Sequence, residues 1–154
     1  MTNEDRSLLK EEYFQLQNAV EEFDQRGLTI KAWSVTTSMV GIATSFLYSD
    51  AVFLCLLSAF ASLSFWITEA YWKYFQQCYY PCIREIEMAL RAPQHQIAPL
   101  QINTSWSKAN AKYREDRFLI KILLWPQIML PHVLVALVGF GIWFWRISGF
   151  KTPS

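Results

Sequence analysis

Residues 7–31 set Leu9, Tyr13, Leu16, Val20 and Phe23 at alternating spacings of four and three, with Ile30 seven beyond Phe23. This is the apolar seam of an amphipathic helix about three heptads long. Glu11, Glu12, Glu21, Glu22 and Asp24 lie off the seam. Such a seam suits either self-association or packing on another helix of the same chain. Gly27 is a candidate bend at its end, although a continuous helix also fits.

The pattern then changes. Ala32–Thr68 holds one formal charge, Asp50, between apolar runs at 32–49 and 51–68. Each run has 18 residues, about 27 Å as a helix and close to the thickness of a bilayer core. The reading is a transmembrane hairpin over 32–68 with Asp50 at the far surface; the alternative is a buried soluble hairpin. A third run, 122–145, contains no acid, lysine or arginine, and Pro126 and Pro131 interrupt it. Proline removes a backbone donor and crowds the preceding turn, so a kinked span is expected. It would follow an interfacial turn at 118–121, the alternative being a re-entrant or interfacial helix up to Met129 before a short span.

Between the second and third runs, residues 69–91 extend the second span as a helix that Pro81 should break. Residues 92–104 form a proline-containing loop, and Ser105 is a candidate cap for a helix over 106–117. The expected fold is therefore an all-α membrane protein of three transmembrane helices, a hairpin plus a Pro-kinked third span. Its parts are an N-terminal amphipathic helix (1–31), the hairpin (32–68), a cytosolic helical region (69–121), the third span (122–145) and an external tail (146–154).

Composition supports this picture. The chain is 53% hydrophobic, 16% aromatic and 18% charged, with a net charge of +1. This balance excludes a broadly basic binder of duplex nucleic acid and a disordered tail. Twelve of the fourteen lysines and arginines lie in 1–31 and 70–121, against two after 145. The positive-inside rule then places the N-terminus and 69–121 in the cytoplasm of a bacterial inner membrane and the C-terminus in the periplasm. Trp33, Trp66, Tyr71 and Trp72 would form the inner aromatic belt, and Trp143 and Trp145 the outer one. The charged first 31 residues do not read as a secretory signal.

The first span carries seven hydroxyl residues in 18, including Ser34, Thr37, Ser38, Thr44 and Ser45. Thr37, Gly41 and Ser45 make a small-xxx-small face, and Ser58 and Ser62 offer a second on the next span. These residues suit close helix packing or, in an oligomer, the lining of a wet pore. Glu69 ends the second span, with Lys73 one turn on as a local partner. His132 follows Pro131 inside the third span, where an ionisable group marks a candidate gating element. Lys73, Arg84, Arg91, Trp106, Lys108, Lys112, Tyr113, Arg114 and Arg117 mix cations and aromatics; such a set can hold a phosphorylated ligand or rest on anionic lipid. Cys55, Cys78 and Cys82 lack the spacing of a metal site, so no metal or cofactor is expected. No GxSxG, HExxH, P-loop or dinucleotide loop occurs, so an enzyme is not expected. A membrane enzyme would have to use His132, Glu69 or the cysteines.

The stretches FDQRGLTIKAWSVT (23–36) and SFWITEAYWKYFQQCYYPCIREIE (64–87) resemble small bacterial antiphage-defence membrane proteins, the SLATT-like effectors. The plan is also similar to the membrane effector of Hailong-type systems. The likeness covers about residues 7–91, and the third span is an addition to the two-span SLATT plan. It implies a homo-oligomeric pore, with a tetramer as the working stoichiometry, that depolarises an infected cell. It also implies a partner nucleotidyltransferase whose nucleotide or oligonucleotide product controls the pore. A non-conducting scaffold that recruits a soluble partner through 70–121 is the competing class.

Overall fold

The computed structural model describes residues 2–92 and 94–148, for Ser49 the backbone only. Lys151 and the end of the expected external tail lie outside the described residues. Among these the secondary structure is helical throughout, with α1 Asn3–Leu47, a 3₁₀ turn Ser49–Val52, α2 Phe53–Gln77, α3 Tyr80–Arg91, α4 Ile102–Glu115, α5 Phe118–Leu123 and α6 Pro126–Ile147. Gly27 does not bend the chain: α1 is one 45-residue helix. A lone glycine costs a helix only about 1 kcal/mol.

Prolines set two of the breaks. Pro81 occupies the first turn of α3, after a turn at 78–79. Pro126 opens α6, and Trp125 before it is extended at φ −65°, ψ 127°, since the residue preceding a proline is pushed out of the helical region. The expected 122–145 segment is therefore two helices, and Pro131 lies inside the second.

The chain divides into two compact units. Unit 1 contains Met1–Gly27 and Tyr71–Ile122. Its core joins Leu9, Leu16 and Val20 of α1 to Cys82, Ile83, Ile86 and Ala89 of α3, with Tyr13, Tyr79 and Ile102 packed around them. The heptad seam is thus filled by a helix of the same chain. Phe23 completes it, 5.3 Å from the Trp72 ring and 5.8 Å from Tyr79. Trp72, expected in the inner belt, also lies beneath the Arg26 guanidinium at 5.2 Å.

Ser105 is not the cap of α4, which starts three residues earlier. The nearly buried Glu12 carboxylate accepts the N–H groups of Leu100 (2.8 Å) and Gln101 (3.2 Å), where Leu100 is left-handed at φ 63°. A distant carboxylate thus takes over the work of a local cap, satisfying donors ahead of a helix and complementing its dipole. Glu12→Ala is expected to lower the stability of unit 1 by about 1–3 kcal/mol, because it leaves two part-buried donors unmet. Chemical denaturation of the variant checks this, and Glu12→Gln, which keeps one acceptor, should lose less.

Unit 2 contains Leu28–Ala70 and Leu123–Ser154. Its interior mixes apolar residues such as Ile42, Ala59, Ile128 and Val135 with polar ones. Ser34, Ser38, Ser45, Ser62 and His132 are fully buried, whereas Trp33, Val40, Leu57, Leu137 and Phe144 are roughly 60% exposed. Two helical stretches, Asp50–Arg91 and Pro126–Ile147, are long and apolar enough to cross a membrane. The 32–47 part of α1 is not among them, because its hydroxyls dilute its apolar surface.

Candidate functional site

Within unit 2 a ladder of polar side chains runs between α1, α2 and α6. At one end Lys31 Nζ donates to Glu69 Oε1 at 2.7 Å. Glu69 Oε2 meets His132 Nε2 at 2.8 Å, and His132 Nδ1 meets Ser34 Oγ at 2.8 Å. Ser34 Oγ lies 3.2 Å from Ser62 Oγ, which donates to the His132 carbonyl at 2.9 Å. Farther along, Ser38 donates to the Ser58 carbonyl at 3.1 Å, and Ser45 Oγ lies 2.6 Å from the Ile42 carbonyl and 2.9 Å from Cys55 Sγ. At the other end Arg146 donates to the Ser45 carbonyl and lies 5.7 Å from the Phe46 ring. A cation there satisfies a carbonyl near the C-terminus of α1 and complements its dipole.

Small residues bring these helices close enough for hydroxyls to bridge them. A Cβ on Gly41 would overlap Ser58 Oγ, and one on Gly139 would stand 2.8 Å from the Cys55 carbonyl and 3.1 Å from Ala59 Cβ. The small-residue faces are thus used inside one chain. Of the residues weighed as pore lining, Ser34, Ser38, Ser45, Ser58 and Ser62 point inward, Gly41 and Thr44 are half-buried, and Thr37 is exposed. Thr44 turns its hydroxyl to the Val40 carbonyl.

Glu69 departs from its expected partner. Lys73 pairs instead with Asp24 at 2.8 Å, and Glu69 is held by Lys31 and His132. His132, the candidate gating residue, is bonded by side chains on both ring nitrogens. The order Ser34, His132, Glu69 is that of a hydrolytic relay. Here, however, Ser34 and His132 are fully buried and Ser34 Oγ is already engaged by Ser62, so a substrate carbonyl has no path to the hydroxyl. The arrangement can store and pass protons, and it locks three helices together. Lys31 is the member that a local reading of the sequence misses, because its partner is 38 residues away.

Unit 1 holds an open cavity of about 990 Å³ between α1, α3, α4 and the loop before α4. Arg84, Lys108, Lys112, Tyr80 and Tyr113 line it. Its acids are committed elsewhere: Glu12 to backbone N–H groups, Glu85 to His95 at 3.1 Å, and Glu87 to the Tyr13 hydroxyl at 3.2 Å. Burial raises the Tyr113 phenol above the usual tyrosine range, nearby Cys78 adds to this, and Arg84 opposes it. The cavity is suited to an anion carrying an apolar or aromatic part.

The expected basic–aromatic cluster is therefore divided. Arg84, Lys108, Lys112 and Tyr113 share the cavity, while Trp106 packs on Phe75 and Tyr79 with its indole N–H on the Phe75 carbonyl. Lys73 is held by Asp24, and Arg91, Arg114 and Arg117 do not line the cavity. On a helix, residues three and four apart share a face. Residues 105, 108, 109 and 112 of α4 do so here, and 114 and 117 fall off it. Arg117 itself sits at φ 49°, where α4 has ended.

No protein-family model, curated protein or solved structure matches the chain.

Proposed function

We propose that the chain is a bacterial inner-membrane protein with three spans, α1 supplying the first through its 32–47 portion, α2 the second and α6 the third. Residues 1–31 and 69–121 lie in the cytoplasm and the C-terminus in the periplasm. In this reading it assembles as a homo-oligomer, with a tetramer as the working stoichiometry, and acts as a ligand-controlled ion channel or membrane-disrupting effector in antiphage defence. The carrying observation is that unit 2 exposes large apolar side chains while it buries serines, Glu69 and His132. Lipid tails solvate such an exterior, and only a bilayer makes an interior of hydroxyls and charges the better place for polar groups. The Arg84, Lys108 and Lys112 cavity supports control from the cytoplasmic side by an anionic signal, a nucleotide or oligonucleotide from a partner nucleotidyltransferase.

The test is mass determination in detergent followed by flux from vesicles containing the purified protein. A multimer that conducts, with flux altered by ligand, supports the proposal; a strict monomer contradicts it. A second reading, a non-conducting scaffold, is favoured by the commitment of the Ser34, Ser38, Ser45 and Ser62 hydroxyls to bonds within one chain. Thr37 distinguishes the two, since it is exposed and free to face another subunit. Thr37→Leu should lower flux several-fold with assembly retained if subunits surround a pore, and should leave cellular activity unchanged in a scaffold.

A further inference from the structure

Four hydrogen-bonding contacts radiate from His132 and its serines: Nε2 to Glu69 Oε2, Nδ1 to Ser34 Oγ, Ser34 Oγ to Ser62 Oγ, and Ser62 Oγ to the His132 carbonyl. Each contact needs one proton between its two heavy atoms. A carboxylate and a carbonyl bring none. A neutral imidazole brings one and each hydroxyl brings one, which makes three protons for four contacts. If the neutral ring donates to Glu69, Ser34 must donate to Nδ1 and Ser62 to the carbonyl. The two serine oxygens then face each other lone pair to lone pair. One further proton resolves the conflict: Nε2–H to Glu69, Nδ1–H to Ser34, Ser34 to Ser62, and Ser62 to the carbonyl, all in one direction.

We propose that unit 2 is a proton-binding site, in which Lys31, Glu69, His132, Ser34 and Ser62 together hold this fourth proton between α1, α2 and α6. The fourth proton is placed on the imidazole, with Glu69 as its carboxylate counter-ion. The surrounding charges are compatible with it. The described acidic and basic side chains of unit 2 are Lys31 on α1, Asp50 in the hairpin turn, Glu69 on α2, and His132 and Arg146 on α6. Lys31 and Glu69 face the imidazole through the carboxylate; Arg146 is engaged at the Ser45 carbonyl. The Glu69 carboxylate is the counter-ion between two cations, and the Lys31 side chain is 27% exposed, so its ammonium keeps contact with the surroundings. Loss of the proton leaves the Ser34–Ser62 bridge unmade and loosens α6 from α1 and α2. The site stands whether or not the protein conducts.

The test uses full-length protein in lipid vesicles, labelled with ¹⁵N-histidine. His95→Gln removes the other histidine and leaves one ring to observe. At pH 7 both His132 ring nitrogens should show the chemical shift of a protonated nitrogen; one unprotonated nitrogen overturns the proposal. Ser62→Ala is the second arm. It deletes two contacts and one proton, so a neutral ring then satisfies what remains. In this variant one ring nitrogen should show the shift of an unprotonated nitrogen under the conditions in which wild type shows two protonated ones. Identical ring spectra of wild type and Ser62→Ala would also overturn it. The ring spectrum reports proton occupancy and vesicle flux reports conduction, so failure of either reading is distinguishable from failure of the other.

Discussion

Glu69→Ala is expected to destabilise unit 2 by about 3–5 kcal/mol, the range for stripping one partner from a buried ion pair. The variant leaves the Lys31 ammonium unpaired and the buried His132 Nε2 without an acceptor. The Lys31 ammonium, on a side chain 27% exposed, can be partly rehydrated, whereas the fully buried His132 nitrogen is left unsatisfied. Glu69→Gln keeps the shape and an acceptor but removes the counter-ion, and should lose less. Denaturation in mixed micelles, followed by helical circular dichroism, measures the difference. Equal stability of Glu69→Ala and wild type would mean that the network contributes nothing to holding α1, α2 and α6 together.

Gly139→Val has the second large effect. Its Cβ would stand 2.8 Å from the Cys55 backbone carbonyl and 3.1 Å from Ala59 Cβ. Backbone cannot swing aside as a long side chain can, so α6 must move off α2. Overpacking of this kind costs about 1–3 kcal/mol and sometimes more. The displacement would also stretch the contacts of His132, two turns before Gly139 on the same buried stripe of α6. Gly141→Val is the control, since a Cβ there meets nothing within 4 Å. The same denaturation series should place Gly139→Val well below wild type and Gly141→Val close to it.

Much of the fold is legible in local pattern. Pro81 announces the break before α3, and the seam from Leu9 to Phe23 announces an amphipathic helix, whereas Pro126, read as a kink within one span, opens α6. What the pattern leaves open is the partner of that seam, since heptad spacing is the same whether α3 or a second chain fills it. The candidate site divides in the same way. Glu69 and His132 stand out as ionisable groups in apolar surroundings, but local spacing offers Lys73 as the partner of Glu69. The hairpin overrides it: Lys31 and Glu69, Ser34 and Ser62, Ser38 and Ser58, and Ser45 and Cys55 are pairs nearly equidistant from the turn at residues 49–52. Folding the two runs about that turn would have paired them. The cap of α4 shows the reverse limit, because nothing near Leu100 in sequence points to Glu12.

The proposed topology has unit 2 crossing a bilayer three times with its polar ladder enclosed. The most direct test is single-cysteine labelling in intact cells with a membrane-impermeant maleimide. Cysteines are placed in turn at Asn3, Asp50, Ser107 and Ser148, over a background whose native Cys55, Cys78 and Cys82 are buried. The account expects labelling of Asp50→Cys and Ser148→Cys from outside, and of Asn3→Cys and Ser107→Cys only after the membrane is opened. Labelling of all four from one side, or of Asp50→Cys and Ser107→Cys together, would contradict it.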